Sequence, residues 1–128
     1  MMFSDLLDRR ILVVEDDYMQ ASELSVALEL QGSNVVGPFP VPEEGLEAIE
    51  HAEVDAAVLD VHLGEQRVYH LADVLNERKI PFLFVTGYDP TEIPDRFAGI
   101  HCLQKPFDMD GLAVILAIAL AGRRKPLH

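Results

Sequence analysis

Four short runs in this chain, widely separated, each stop on a polar side chain, and helical patterns lie between them. Ile11-Leu12-Val13-Val14 runs into Glu15-Asp16-Asp17, and Ala56-Ala57-Val58-Leu59 ends on Asp60. Phe82-Leu83-Phe84-Val85 ends on Thr86, and His101-Cys102-Leu103-Gln104 ends on Lys105, followed by Pro106. Runs this short, bounded in this way, read as strands buried on both faces of a parallel sheet. In an open α/β sheet, ligands bind beyond the carboxyl ends of the strands. The acids, the hydroxyl and the amine are therefore expected at one rim.

The strand and helix patterns alternate along the whole chain, the mark of a doubly wound α/β fold. A helix is expected from about Tyr18 to Gln31, stopped by Gly32. Ser33 to Gly37 reads as a weaker second strand, closed by Pro38 and Pro40, and Glu43 to Ala52 as a helix with Leu46 and Ile49 on one face. Val68, Leu71, Ala72 and Leu75 fall at i, i+3, i+4 and i+7, which makes an amphipathic helix ending before Pro81. The last helix is expected from about Asp108, as N-cap, to Ala121. Between Gly87 and Gly99, Pro90 and Pro94 rule out a regular helix, since an interior proline costs ~3 kcal/mol. Only a short or irregular helix near Pro94 is expected there.

The 128 residues and 49% hydrophobic content suit a single domain spanning 1–128, with no effector domain. A net charge of -12, from 22 acids against 10 bases, argues against a nucleic acid partner held by a general basic surface. The longest apolar stretch, Leu112 to Ala121, is too short to span a membrane. The N-terminus lacks a signal-peptide core. A lone Cys102 inside an apolar stretch suits a buried small residue in a reducing cytoplasm, and a cytoplasmic location is expected. Arg123, Arg124 and Lys125 read as a solvated basic tail.

Asp60 on its own is an ordinary strand-end acid. With Glu15 and Asp16 at a neighbouring strand end, the carboxylates repel unless a cation intervenes. An all-oxygen set of this kind suits Mg²⁺, which takes one or two carboxylates and bridges to phosphate. Lys105 adds a movable point charge for a phosphate oxygen.

Taken together, these residues resemble a response-regulator receiver domain of the CheY-like superfamily, over nearly the full chain. The resemblance implies a flavodoxin-like (βα)5 sandwich with a five-stranded parallel sheet in the order 2-1-3-4-5 and helices on both faces. It implies that Asp60 accepts a phosphoryl group from a histidine kinase or histidine phosphotransfer protein. It also implies a Mg²⁺ site formed by Asp16, Asp60, the backbone carbonyl of His62 and, through water, Glu15. Thr86 becomes the switch hydroxyl, Lys105 the charge partner of the phosphoryl group, and the Lys105–Pro106 peptide is expected to be cis. Such a protein is not an enzyme acting on other molecules; it catalyses only its own phosphorylation and dephosphorylation.

Two positions depart from the common pattern. Cys102 stands where receivers usually carry an aromatic switch residue, three before Lys105. Phe82 to Tyr88 (FLFVTGY) resembles the motif of the FATGUY-type single-domain regulators, in which an aromatic follows Thr-Gly. Tyr88 either takes over the switching role or only packs over the loop. His62 flanks the phosphorylation loop and reads as a gate, whereas His51, His70 and His128 have no spaced partner ligands.

The strongest rival is a Mg²⁺-dependent phosphatase of the haloacid dehalogenase type. That chemistry wants an acid two residues after the nucleophile, and His62 stands there. A degenerate receiver acting only as an interaction module is a further alternative. The last helix, apolar on every side from Leu112 to Ala121, is expected to dock a protein, as a homodimer or a partner contact. Leu112, Leu116, Ala119 and Leu120 would face the sheet, with Val114 and Ile118 turned outward.

Overall fold

The structure, a computed structural model, describes residues 4–121. Its strands are β1 (Arg10–Val14), β2 (Asn34–Phe39), β3 (Ala56–Asp60), β4 (His62–Leu63), β5 (Gln66–Arg67), β6 (Phe82–Thr86) and β7 (Cys102–Gln104). Five of them form one parallel sheet in the order β2-β1-β3-β6-β7. Counted along the sheet alone, this is the expected 2-1-3-4-5, the flavodoxin-like arrangement. The other two, β4 and β5, pair antiparallel as a small hairpin directly after β3.

Alternation along the strands sends side chains to two separate cores. Leu12, Val14, Ala57, Leu59, Phe82 and Phe84 face one side, under α2 (Pro42–His51) and α3 (Tyr69–Glu77). Ile11, Val13, Ala56, Val58, Leu83 and Val85 face the other, under α1 (Tyr18–Leu30) and α4 (Met109–Leu120). β1, β3 and β6 are central and apolar on both faces, which explains their unbroken sequence runs.

Local chemistry sets the helix ends. The Asp17 side chain accepts from the Gln20 amide at 3.0 Å and starts α1, and Asp108 accepts from the Asp110 amide at 2.9 Å and starts α4. Pro42 opens α2, with Glu43 and Glu44 in the first turn, where the helix dipole favours acids. Gly32, at φ +85°, ends α1 in the left-handed region, and a Cβ there would meet Leu7 Cδ1 at 2.5 Å. Gly45 lets α2 lie close on the sheet, since a Cβ would meet Leu71 Cδ2 at 2.9 Å and Val14 Cγ2 at 3.2 Å.

Two expectations need correction. The second strand continues through Pro38 to Phe39 instead of closing at Gly37. It is an outer strand, where a missing amide donor is tolerated, and a register shift between Leu12 and Val14 accommodates the change of direction. Cys102 is half-buried, because β7 is the other outer strand. As Pro90 and Pro94 implied, the segment between β6 and β7 forms only two 3₁₀ turns, Pro90–Glu92 and Asp95–Phe97, in the place of the fourth helix of a (βα)5 fold, leaving four α-helices among the described residues.

That irregular segment is nevertheless anchored. Phe97 is 1% exposed and packs with its ring centroid 5.3 Å from Phe84 and 5.7 Å from Tyr69. Arg96 donates to both Asp73 oxygens, at 3.0 and 3.1 Å. These contacts hold it on the α2/α3 side, so it does not cover α4. Leu112, Leu116 and Leu120 are buried with Ala113 and Ala117, Ala119 is only half-buried, and Val114 and Ile118 are 40% and 66% exposed. Among the described residues no helix is long and apolar enough to cross a membrane. Arg123, Arg124, Lys125 and His128 lie outside the described residues.

Candidate functional site

β1, β3, β6 and β7 are parallel, so their carboxyl ends lie at one rim and bring Glu15, Asp60, Thr86 and Lys105 together. Asp60 closes β3 and Thr86 closes β6, both buried; Glu15 follows β1 and Lys105 follows β7. The Lys105 ammonium bridges the two buried acids, 2.7 Å from Glu15 Oε1 and 3.1 Å from Asp60 Oδ2. Its amide donates to the Thr86 carbonyl at 2.7 Å, which ties the β7 end to β6. The Lys105–Pro106 peptide is cis.

Asp16 sits at the exposed lip of the same cluster. Glu15, Asp16 and Asp60 each offer a carboxylate oxygen within 4.8 Å of the others. An all-oxygen, acidic donor set at this spacing fits a hard divalent cation. The acids are also oriented from behind. The His62 amide donates to Asp60 Oδ1 at 3.2 Å, the Asp17 amide to Glu15 Oε2 at 3.1 Å and the Gly64 amide to Asp16 Oδ2 at 2.9 Å.

One ammonium shared by two buried carboxylates leaves an excess negative charge, and the titration of the group follows from that imbalance. Burial, reinforced by neighbouring Asp60, pushes the Glu15 carboxyl above its ordinary range despite the pull of Lys105. Burial works to lower the Lys105 pKa, but Glu15 and Asp60 outweigh it and the ammonium is held above its ordinary value.

Over these groups lies a cleft of about 330 Å³, walled by Asp17, Gln20, Gly64 and Gly87 as well as His62 and Tyr88. The Thr86 hydroxyl oxygen accepts from the Tyr88 amide at 3.0 Å. The Tyr88 ring, 58% exposed, lies with its centroid 4.1 Å from that of His62 at an interplanar angle of 43°. Burial, with the charge of Arg67 adding to it, holds the His62 imidazole below its ordinary pKa. His51 and His70 are exposed and stand apart from the site. At Cys102, burial pushes the thiol upward in pKa.

Sequence reasoning missed two members of this rim. Gly64 supplies an amide to Asp16 because the β4–β5 hairpin folds back over the acids at a Gly64-Glu65 turn, and Gly64 has φ +62°. The Gly-polar pair between two short runs was the available signal. Glu92 places Oε2 3.5 Å from His62 Nε2. An exposed glutamate in a proline-broken segment carries no sequence signal for such a contact.

The profile of the response regulator receiver domain matches residues 11–117. The solution structure of SdrG from Sphingomonas melonis Fr1 is 39% identical, superimposes with a TM-score of 0.77, and is covered over 91% of this chain and 98% of that one. A response regulator receiver domain protein (CheY-like) from Methanospirillum hungatei JF-1 is 26% identical with a TM-score of 0.80, over 91% of this chain and 96% of that one. The sensory transduction protein LytT of Bacillus cereus is 26% identical over 111 residues, 84% of this chain and 45% of LytT. The chain spans about half the length of the curated relatives it matches.

Proposed function

The chain belongs to the response-regulator receiver domain family, and from that premise we propose that it accepts a phosphoryl group on Asp60 in a cytoplasmic two-component or phosphorelay system. The donor is the phosphohistidine of a histidine kinase or histidine phosphotransfer protein. The observation that carries the reading is the Lys105 ammonium bridging Glu15 and Asp60 at the strand ends, with Asp16 beside them.

An Asp60 oxygen attacks phosphorus, the P–N bond to the donor imidazole breaks, and the electron pair leaves with that nitrogen, which takes up a proton. Phosphoryl transfer of this kind is chiefly a matter of positioning and charge stabilisation. The His62 amide and Lys105 fix the Asp60 carboxylate from two sides. Lys105 then carries its charge to a phosphoryl oxygen. Mg²⁺, held by Asp16, Asp60, the His62 carbonyl and, through water, Glu15, would add positive charge for the remaining oxygens. Thr86 is the hydroxyl that follows the phosphoryl group, and Tyr88, in the position used by FATGUY-type regulators, takes the aromatic switch role that Cys102 cannot supply.

Incubation with a labelled phosphohistidine donor is the test. Acid-stable, base-labile label is expected on the chain with Mg²⁺ and none in EDTA. Multiple turnover of a test phosphate ester with no stable label would instead mean a phosphatase.

The signal passes by protein contact, and the outer side of α4 suits it. Ile118 and Val114 are exposed there, and α1 on the same side exposes Met19, Val26 and Leu30. A glutamate at Ile118 should disturb this surface without touching either core. Ile118→Glu is expected to lower solution mass, if copies associate, or to slow phosphotransfer roughly tenfold, the scale of one apolar contact. Unchanged mass, stability and rate would make this face ordinary solvated helix.

A further inference from the structure

The outer strand β2 leaves part of the α2/α3-side core uncovered. Val36 and Phe39 pack on that core yet are only half-buried, and because β2 is the border of the sheet, no helix beyond α2 closes over them among the described residues. The result is a groove of about 380 Å³ along the flank of α2. Half-buried Phe39, Ala48 and Ala52 make its floor, and exposed Glu44, Glu47 and His51 make its rim. Glu44 and Glu47 form no ion pair among the described residues, whereas Glu50, on the same helix, is taken by Arg78.

A chain with 22 acids and 10 bases has few cations of its own to answer such a rim, and three of the ten stand together. They are Arg123, Arg124 and Lys125, and Pro126-Leu127 follows them. The segment is basic and then apolar, the complement of a groove acidic at its rim and apolar on its floor. It is too short to serve the groove of its own molecule. α4 lies on the other side of the sheet, packed on β6 and the Ser4–Leu6 turn, and α1 packs on both α4 and β2, between them. Residues 122–128 extend to at most about 25 Å. Crossing α1 takes ~10 Å of this, and rounding β2 to the far layer takes about as much again. Too little remains to fill the groove.

We propose that the groove between β2 and α2 receives residues 123–127 of a second copy of this chain, with the three cations at Glu44 and Glu47 and Leu127 against Phe39, Ala48 and Ala52. Exchanged in both directions, the two contacts are equivalent and the pair closes as a two-fold dimer. Each exposed ion pair contributes at most roughly fivefold. The second contact forms within a pair already made, so the two multiply. Asp60 takes no part, and the dimer stands independently of the phospho-acceptor function.

Sedimentation velocity of the full chain tests this. A dimer is expected to grow in with concentration at low salt, and high salt should weaken it roughly tenfold by screening. Reversing the tail (Arg123→Glu, Arg124→Glu, Lys125→Glu) or the rim (Glu44→Lys, Glu47→Lys) should abolish it. Glu47→Lys alone, beyond the first turn of α2, should weaken it roughly tenfold without touching the charge at the helix start. The two reversed chains, each monomeric alone, should dimerise when mixed, because every contact again joins opposite charges. With the reversed-tail chain labelled for amide NMR, residues 44–52 should shift only when the reversed-rim chain is added. An unaltered chain that stays monomeric would overturn the proposal. A dimer indifferent to both reversals would overturn it too, since the interface would lie elsewhere. Groove amides that move on tail reversal in a chain that stays monomeric would mean the tail folds back on its own molecule, and exchange between copies would be wrong.

Discussion

Asp60→Asn is expected to abolish phosphoryl acceptance, by more than about 10³-fold, while the protein folds as before. The amide has nearly the shape of the carboxylate but offers no anionic oxygen to attack phosphorus. The environment favours folding of the variant as well. Asp60 is buried beside Glu15, and the two acids share one ammonium, so removing one charge relieves repulsion and leaves Lys105 paired with Glu15. A melting midpoint equal to or slightly above that of the parent is therefore expected in metal-free buffer. Glu15 should titrate closer to its ordinary range, because Asp60 is one of the causes of its raised pKa. Label persisting on Asp60→Asn would place the acceptor elsewhere, and a collapse in stability would mean that Asp60 is needed for the fold.

Lys105→Met should show the largest loss of stability of any rim substitution. It keeps an apolar stem of similar length but leaves Glu15 and Asp60 facing each other with no cation between them. Removing one partner of a buried ion pair costs about 3–5 kcal/mol; the lower end applies here, since the Lys105 side chain keeps 17% exposure. About 3 kcal/mol is roughly 10 °C in Tm for a domain of this size. The loss should depend on pH. Glu15 holds its proton more tightly folded than unfolded, so its contribution falls as pH rises from the ordinary glutamate value through its raised one. Without Lys105 that penalty deepens, and the variant should lag the parent most near neutrality and least in acid. Millimolar Mg²⁺ should raise both midpoints and raise the variant's more, because the ion replaces the missing charge. Melts that do not respond to Mg²⁺ would argue against a carboxylate metal site.

The positions of Glu15, Asp60 and Thr86 were legible because sheet centrality leaves a plain trace, whereas Lys105 follows the outer strand β7 and was marked by the Lys-Pro pair with Pro106. A strand covered on both faces must be apolar throughout, so the first polar residue after it marks the rim. The segment from Pro90 to Gly99 was legible only as a negative, through its prolines. What anchors it, Phe97 among Tyr69, Phe82 and Phe84, joins residues from three elements, and no local pattern encodes such a meeting. The β4–β5 hairpin escaped because two-residue strands are shorter than any period that could reveal them. Pro38 misled for a different reason. Proline is a reliable stop inside a sheet, but at an outer strand its missing donor faces no obligatory partner. Ala119 was assigned to the buried stripe of α4 by spacing alone, and the register of the helix gives that place to Ala113 and Ala117 instead.

The two outer strands also bear on how this chain avoids polymerising. An open sheet ends in rows of amides and carbonyls that can template a strand from another molecule, the first step toward fibrils. Here one border, β2, is interrupted by Pro38, followed by Pro40, and bent by its register shift, while the other, β7, is three residues long. Neither offers a straight ladder long enough to seed sheet extension. Crowding many copies at a signalling site therefore favours contacts made side chain to side chain over backbone pairing, and such contacts can be undone.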